Sequence, residues 1–222
     1  MSAVELLDHQ IEFCDTKALY PAIVGGLGSG KSRAGTMRLL LLMAENPGIN
    51  TLYALPTYDL LRLRALPGFE DDLQAIGLGY QINKSEWSIY IPKLKGSIYL
   101  RSYDNPNRFI AFEVAHAVAD EIDTLPKDKA EIVWRKISER TRQACNGPNT
   151  IGVVTTPDQG VTGFVYQKWA KQQQSGYEII KARTTDNPFL PDGYVQQIRD
   201  NYDPVLADLY LNGEFVSLSH DK

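Results

Sequence analysis

A glycine-rich run followed by lysine and serine is the clearest candidate for chemistry in this sequence. Gly25 and Gly30 are separated by four residues and lead into Lys31 and Ser32, which completes the phosphate-binding pattern G-x-x-x-x-G-K-S. In such a P-loop, backbone N–H groups surround phosphate oxygens, the lysine reaches the β- and γ-phosphates, and the serine hydroxyl binds Mg²⁺. The predicted ATP-binding residues of the loop are Gly25, Gly26, Gly28, Ser29, Gly30, Lys31 and Ser32.

An acidic pair follows the apolar run at residues 114–119. Asp120 ends that run and Glu121 comes directly after it. A P-loop site needs a carboxylate for Mg²⁺, and Asp120 has the position of this Walker B residue. Glu121 is then placed to orient or deprotonate the attacking water, which favours hydrolysis over nucleotide binding alone. A solvated acidic strand end is the alternative interpretation, and the P-loop earlier in the chain argues against it.

Three further residues are weaker candidates. Thr155 and Thr156 end the next predicted strand, where hydroxyls could sense the γ-phosphate or its water. An ordinary strand exit before Pro157 explains them as well, and the residues alone favour that interpretation. The side-chain amide of Gln10 could contact adenine, although nothing else near it supports this.

The elements around these residues alternate between strands and helices. Strands are predicted at residues 20–26, 50–56, 114–119, 150–156 and 177–183, and a hairpin at residues 80–103. Helices are predicted at residues 31–45, 69–76, 127–144 and 161–174, with shorter helical stretches at 57–64, 194–201 and 204–211. This alternation predicts an α/β fold with a mainly parallel sheet covered by helices on both faces. The candidate motifs fall at the carboxyl ends of its strands, where such folds bind ligands.

Composition excludes several classes of protein. The 222 residues carry a net charge of -4, so overall charge gives no argument for a nucleic-acid partner. The basic helix at residues 127–144 could meet DNA phosphates or simply face solvent. Cys14 and Cys145 have no metal-ligand spacing, and the longest apolar run is far shorter than the roughly 20 residues that span a bilayer. We expect a cytoplasmic protein with no membrane association.

Several segments, in this order, resemble the ATPase domain of the large terminase subunit, the DNA-packaging motor of tailed double-stranded DNA bacteriophages. The Walker motifs would fit many ATPases, whereas the last three segments are specific to this family at these relative positions. The segments lie at residues 9–13, 25–32, 54–58, 102–106, 120–121, 155–157, 184–188 and 213–216.

The resemblance implies ATP hydrolysis, with Mg²⁺ as cofactor, that drives viral double-stranded DNA through a portal into a procapsid in the host cytoplasm. It implies a P-loop fold of the additional-strand, RecA-like type, with an ATPase core at residues 1–185 and a small lid or linker at 186–222. Gln10 becomes the adenine contact, and Thr155 and Thr156 become the coupling motif. The implied partners are DNA, the portal protein, the small terminase subunit and further copies in a ring, with a monomer in isolation.

The sequence departs from this family in two respects. Leu27 stands where relatives often carry an arginine in the P-loop, and Ile110 is the nearest match to the trans-acting arginine of others. Arg108 is therefore the first candidate for the catalytic arginine, ahead of Arg101 and Arg33. The family continues into a nuclease domain after the segment at 213–216, so we expect no DNA cleavage by this polypeptide.

Other functions compete with this interpretation. A helicase of the same class needs two RecA-like domains, and this chain has one P-loop. A small kinase seldom needs a glutamate beside the Walker B aspartate. Another single-domain, nucleic-acid-dependent ATPase remains an alternative, as does a nucleotide-gated assembly module without turnover.

Overall fold

One mixed sheet of eight strands lies at the centre of residues 4–218, the part of the chain that the computed structural model describes. Its order is β3-β4-β5-β2-β6-β7-β1-β8. The pairs from β5 to β8 are parallel, and β3-β4-β5 are antiparallel, as the predicted hairpin requires. The strands are β1 (Tyr20–Gly25), β2 (Thr51–Leu55), β3 (Gln81–Asn83), β4 (Ser88–Ile91), β5 (Gly96–Ser102), β6 (His116–Asp120), β7 (Thr150–Thr155) and β8 (Tyr177–Ala182).

The position of β7 decides the type of fold. This strand pairs with β1 on one side and with β6 on the other. One strand therefore separates the strand before the P-loop from the strand that ends at Asp120, which is the additional-strand arrangement that we predicted. Every residue of β2, β6 and β7 is buried, as expected of parallel strands covered on both faces.

Helices cover both faces of the sheet, and each face has its own apolar core. One core contains Phe13, Leu39 and Phe69, and the other contains Trp134 and Trp169. The helices are α1 (Asp8–Asp15), α2 (Lys31–Glu45), α3 (Tyr58–Leu60), α4 (Leu66–Ile76), α5 (Lys127–Arg140), α6 (Tyr194–Asn201) and α7 (Pro204–Asn212). Among the described residues, none of the helices has the length and hydropathy to cross a bilayer.

Two predicted helices differ from the observed structure. The helix expected at 161–174 is a 3₁₀ turn, Gly160–Thr162, followed by a π-helical stretch, Tyr166–Lys171. The stretches expected at 57–64 and 69–76 are joined, because a π-helical stretch, Leu61–Ala65, connects α3 to α4 without a break. Pro67 lacks an N–H and its ring crowds the carbonyl four residues earlier, and the wider π turn before it accommodates both effects.

The end of the chain packs beside the P-loop. Helices α6 and α7 contact each other, and α7 also contacts β1 and the 3₁₀ turn Thr184–Asp186. The predicted lid segment at 186–222 therefore begins close to this turn, and its last four residues lie outside the described part. The boundary at 185 stays a prediction.

Candidate active site

The P-loop connects β1 to α2 at the carboxyl edge of the sheet. Gly30 caps α2 with a φ of 84°, a left-handed conformation that favours glycine. A Cβ atom on Gly26 would lie 2.4 Å from the Leu211 carbonyl oxygen, so any larger residue would push the loop away from α7. The first N–H groups of α2 have no partner within the helix, which makes this end of the loop a binding site for anions.

Lys31 links the P-loop to the acidic end of β6. Its side chain is buried, and Nζ donates a hydrogen bond of 3.3 Å to the Gly26 carbonyl. The same Nζ lies 3.7 Å from Glu121 Oε1. A lysine and a glutamate on separate elements thus meet beside the phosphate-binding loop.

Asp120 ends β6 with one oxygen bound and the other free. Its Oδ2 accepts a hydrogen bond of 2.6 Å from the Tyr53 hydroxyl, and its backbone oxygen accepts one of 2.7 Å from Tyr103. Oδ1 is buried and has no partner among the described residues. Burial first, and the charge of Glu121 second, raise the pKa of Asp120, while Tyr53 and two nearby cations act against this shift.

The residues present fit a magnesium ion. Ser32 and Asp120 line one open cavity of about 620 Å³. Mg²⁺ with a nucleotide takes one or two protein ligands and completes its shell with phosphate oxygens and water. The free Asp120 oxygen and the Ser32 hydroxyl supply that number. No cluster of three or more His, Cys, Asp and Glu side chains in residues 4–218 could hold a metal ion without such a nucleotide.

Glu121 is held between two strand ends in an unusual conformation. Its φ of 54° is left-handed, which costs a non-glycine residue about 1 kcal/mol or more. Its N–H donates to the Val154 carbonyl at 2.6 Å, and its Oε2 accepts from the Thr156 N–H at 3.4 Å. The turn after β6 is therefore fixed to the end of β7. Such strain at a strand end is typical of functional sites.

The two threonines at the end of β7 have different contacts. The Thr155 hydroxyl accepts a hydrogen bond from the Asp123 N–H at 3.3 Å and donates one to the Thr156 carbonyl. The Thr156 hydroxyl is buried without a partner in the described part of the chain. Thr155 thus has a structural contact, whereas Thr156 keeps a free hydroxyl next to the Glu121 carboxylate.

The segment around α7 is hydrogen-bonded to the P-loop backbone. Thr184 Oγ1 donates to the Leu27 carbonyl at 2.7 Å, and Asn187 Nδ2 donates to the Gly28 carbonyl at 2.6 Å. The Leu27 N–H donates in turn to the Tyr210 carbonyl at 2.7 Å. These bonds fix the loop from the side opposite to β6.

Comparison with known proteins gives the family of this chain. Residues 22–221 match the model of "Terminase large subunit, T4likevirus-type, N-terminal". The chain belongs to this family of large terminase subunits. No curated protein matches the sequence.

Solved structures of large terminases have the same fold. A full-length large terminase from a thermophilic bacteriophage matches with a TM-score of 0.80 at 14% identity, over 96% of this chain and 54% of that one. The complex of that terminase with ADP matches with a TM-score of 0.77 at 15% identity, over the same shares. The ATPase domain of the Thermus phage P74-26 large terminase matches with a TM-score of 0.72 at 16% identity, over 96% and 94%.

These comparisons confirm the predicted fold and family, and they also set the extent of the match. The chain spans about half the length of the first of these large terminases and nearly all of the P74-26 ATPase domain.

Gln10 of this terminase chain lies against the P-loop. Its Nε2 donates to the Gly30 carbonyl at 2.8 Å, and its Oε1 accepts from the Leu7 N–H at 2.8 Å. His9 beside it contacts the Ser29 carbonyl at 2.8 Å. Helix α1 therefore supports the loop through these two side chains, and the adenine contact of Gln10 stays a prediction.

The structure separates the predicted catalytic arginine from the P-loop and brings another arginine to it. Arg108 is exposed and lines a second cavity of about 430 Å³, away from Ser32 and Asp120. Its catalytic role stays a prediction. Arg64, which the sequence patterns did not identify, donates a hydrogen bond of 3.0 Å to Ser32 Oγ. No local signal marks Arg64, because its stretch of chain has no motif.

Proposed function

We propose that this chain hydrolyses ATP to ADP and phosphate at the P-loop. The observation that carries the proposal is the meeting of Lys31 and Glu121 at 3.7 Å beside the unpartnered Oδ1 of Asp120. A phosphate-binding cation, a metal-binding carboxylate and a second carboxylate for water are the parts that this reaction needs.

Each residue has one role in the proposed reaction. Lys31 and the N–H groups of the loop hold the β- and γ-phosphates. Glu121 orients a water molecule whose oxygen attacks the γ-phosphorus, while the bond from that phosphorus to the β,γ-bridging oxygen breaks. The bond electrons leave with ADP, and the proton of the water passes through Glu121 to the products. Thr156 supports Glu121 through its N–H.

Ser32 and Asp120 would hold Mg²⁺ in this reaction. The ion supplies positive charge that stabilises the phosphate oxygens and the departing ADP. Tyr53 orients the Asp120 carboxylate for this task, since its hydroxyl takes one carboxylate oxygen and leaves the other free.

The biological task that family membership supports is the packaging of viral double-stranded DNA into a procapsid. In this proposal the chain acts in a homo-oligomeric ring on the portal protein, with the small terminase subunit as a further partner, in the host cytoplasm. Because the chain spans about half of a full-length large terminase, these whole-protein properties are proposals for this chain. The prediction that this polypeptide does not cleave DNA is tested by plasmid nicking with Mg²⁺ or Mn²⁺.

Phosphate release by the purified chain tests the proposal, alone and with double-stranded DNA and the portal. We expect slow basal release that increases with both partners, and none from Lys31→Ala. The matched control is Lys129→Ala, because Lys129 is an exposed lysine on α5. Equal release by Lys31→Ala and Lys129→Ala would refute the site, and tight ATP binding without release would favour an assembly module.

A further inference from the structure

Arg64 extends from the π-helical stretch Leu61–Ala65 to the metal-facing side of the P-loop. Its Nη2 lies 3.0 Å from Ser32 Oγ and 4.0 Å from Glu121 Oε1. Leu61 and Ala65, at the two ends of the stretch, are buried in the core that α2 and α4 share. The backbone that carries Arg64 is therefore anchored, while its side chain is 45% exposed and free to turn.

The groups around Arg64 are those that receive the terminal phosphate of ATP. Glu121 Oε1 lies within 4.0 Å of both Arg64 Nη2 and Lys31 Nζ. Arg64 also lines the cavity of about 620 Å³ that contains Ser32 and Asp120. Its guanidinium thus stands beside the metal ligands, with open space for a change of rotamer.

The other arginines near this cavity have different partners. Arg33 lines it as well, but its Nε pairs with the buried carboxylate of Asp72 at 3.2 Å. Arg62, on the same π-helical stretch as Arg64, pairs with the exposed Asp59 at 3.4 Å. Arg64 differs from both because the groups that it contacts belong to the reaction site.

We propose that Arg64 is an arginine that the chain supplies in cis to the γ-phosphate. The proposal rests on the proposed ATPase function. Without nucleotide, Ser32 and Glu121 hold the guanidinium. A metal ion on Ser32 would repel it, and the nearest new anion is the terminal phosphate, to which a guanidinium can give two parallel hydrogen bonds.

Arg64 forms and breaks no covalent bond in this role. It offsets negative charge on the phosphoryl group as that group passes from ADP to water. Such an arginine contributes on the order of 10³ to 10⁵ to kcat in related phosphoryl transfers. Arg64 would take the place of the loop arginine, since position 27 is a leucine.

Nucleotide binding and turnover of Arg64→Ala test the inference, with Arg62→Ala as the matched control. Calorimetry with Mg²⁺ should show that Arg64→Ala binds ADP as the wild type does but loses at least about tenfold in affinity for a non-hydrolysable ATP analogue. Its kcat should fall by at least about 10², and trapping of ADP with aluminium fluoride should be lost. Arg64→Lys should restore part of the analogue affinity and little of kcat, because it lacks the planar fork.

Two outcomes would overturn the inference. One is that Arg64→Ala matches Arg62→Ala in analogue affinity and in trapping. The other is that ADP affinity falls as much as analogue affinity, which would give Arg64 a purely structural role. Lys31→Ala separates this inference from the proposed ATPase function. If it also binds and turns over ATP normally, the proposed site is wrong, whereas loss in Lys31→Ala with normal Arg64→Ala refutes the role of Arg64 alone.

Discussion

Removal of the Thr184 hydroxyl tests whether the segment around α7 holds the P-loop in its binding conformation. Thr184 is completely buried, and its Oγ1 donates to the Leu27 carbonyl at 2.7 Å, with the Tyr210 carbonyl 3.3 Å away. Thr184→Ala removes the hydroxyl and a methyl group, whereas Thr184→Ser removes the methyl group alone. The difference between these two variants isolates the hydroxyl.

The size of the effect follows from the exposure of the acceptor. A buried acceptor left without its donor costs about 1–3 kcal/mol. The Leu27 residue is only half-buried, so water can replace part of the lost bond. We therefore expect Thr184→Ala to be less stable than Thr184→Ser by about 1–2 kcal/mol, which lowers Tm by roughly 2–6 °C in a chain of this size. If all of this energy held the loop, ATP affinity would fall by about 5- to 30-fold.

Urea unfolding and calorimetric titration with ATP measure the two effects. Thr185→Ala is the surface control, since Thr185 is the exposed neighbour of Thr184. We expect lower stability and weaker ATP binding for Thr184→Ala alone. Equal stability of the Ala and Ser variants would refute the strength assigned to the bond, and lower stability with unchanged ATP affinity would refute its link to the P-loop.

Three further predictions concern residues around the sheet. Burial first, and Arg38 second, lower the pKa of His116 from 6.5 to about 4, so the folded state keeps it neutral; between about pH 6.5 and 4 the wild type should lose about 3 kcal/mol of unfolding free energy relative to His116→Gln, and parallel pH profiles would contradict this. Thr156→Val should leave Tm unchanged and lower kcat at least about tenfold, because the hydroxyl has no partner in the described structure; an unchanged kcat would remove the hydroxyl from the reaction. Tyr53→Phe should raise the Mg²⁺ concentration for half-maximal hydrolysis about tenfold or more, and the same Mg²⁺ dependence as wild type would contradict its orienting role.

The sequence was sufficient for the parts of the site that depend on local chain geometry. A P-loop places its glycines, Lys31 and Ser32 between a strand and a helix, and this needs no contact with the rest of the chain. The strands of a parallel sheet bring their carboxyl ends to one edge, so the meeting of Asp120 with the loop also followed from the pattern. The single-sheet fold and the hairpin were predictable for the same reason.

The rest of the site depends on packing between distant segments. Arg64 reaches Ser32 because a π-helical stretch joins α3 to α4, and no periodicity in the sequence signals that widened turn. The bonds from Thr184 and Asn187 to the P-loop require the chain after β8 to return over β1. A sequence pattern gives no distance between such segments, so their contacts appear only in the folded chain.

Single-turnover hydrolysis by Glu121→Gln tests whether Glu121 activates the attacking water, the step on which the proposed ATPase reaction depends. The substitution keeps the size of the side chain and removes the carboxylate that faces Lys31, while Glu131→Gln is the matched control on the exposed face of α5. With ATP bound before magnesium is added, we predict wild-type ATP affinity and no phosphate release by Glu121→Gln, and normal release by Glu131→Gln. Phosphate release by Glu121→Gln at the wild-type rate would contradict the assignment of the water-activating residue.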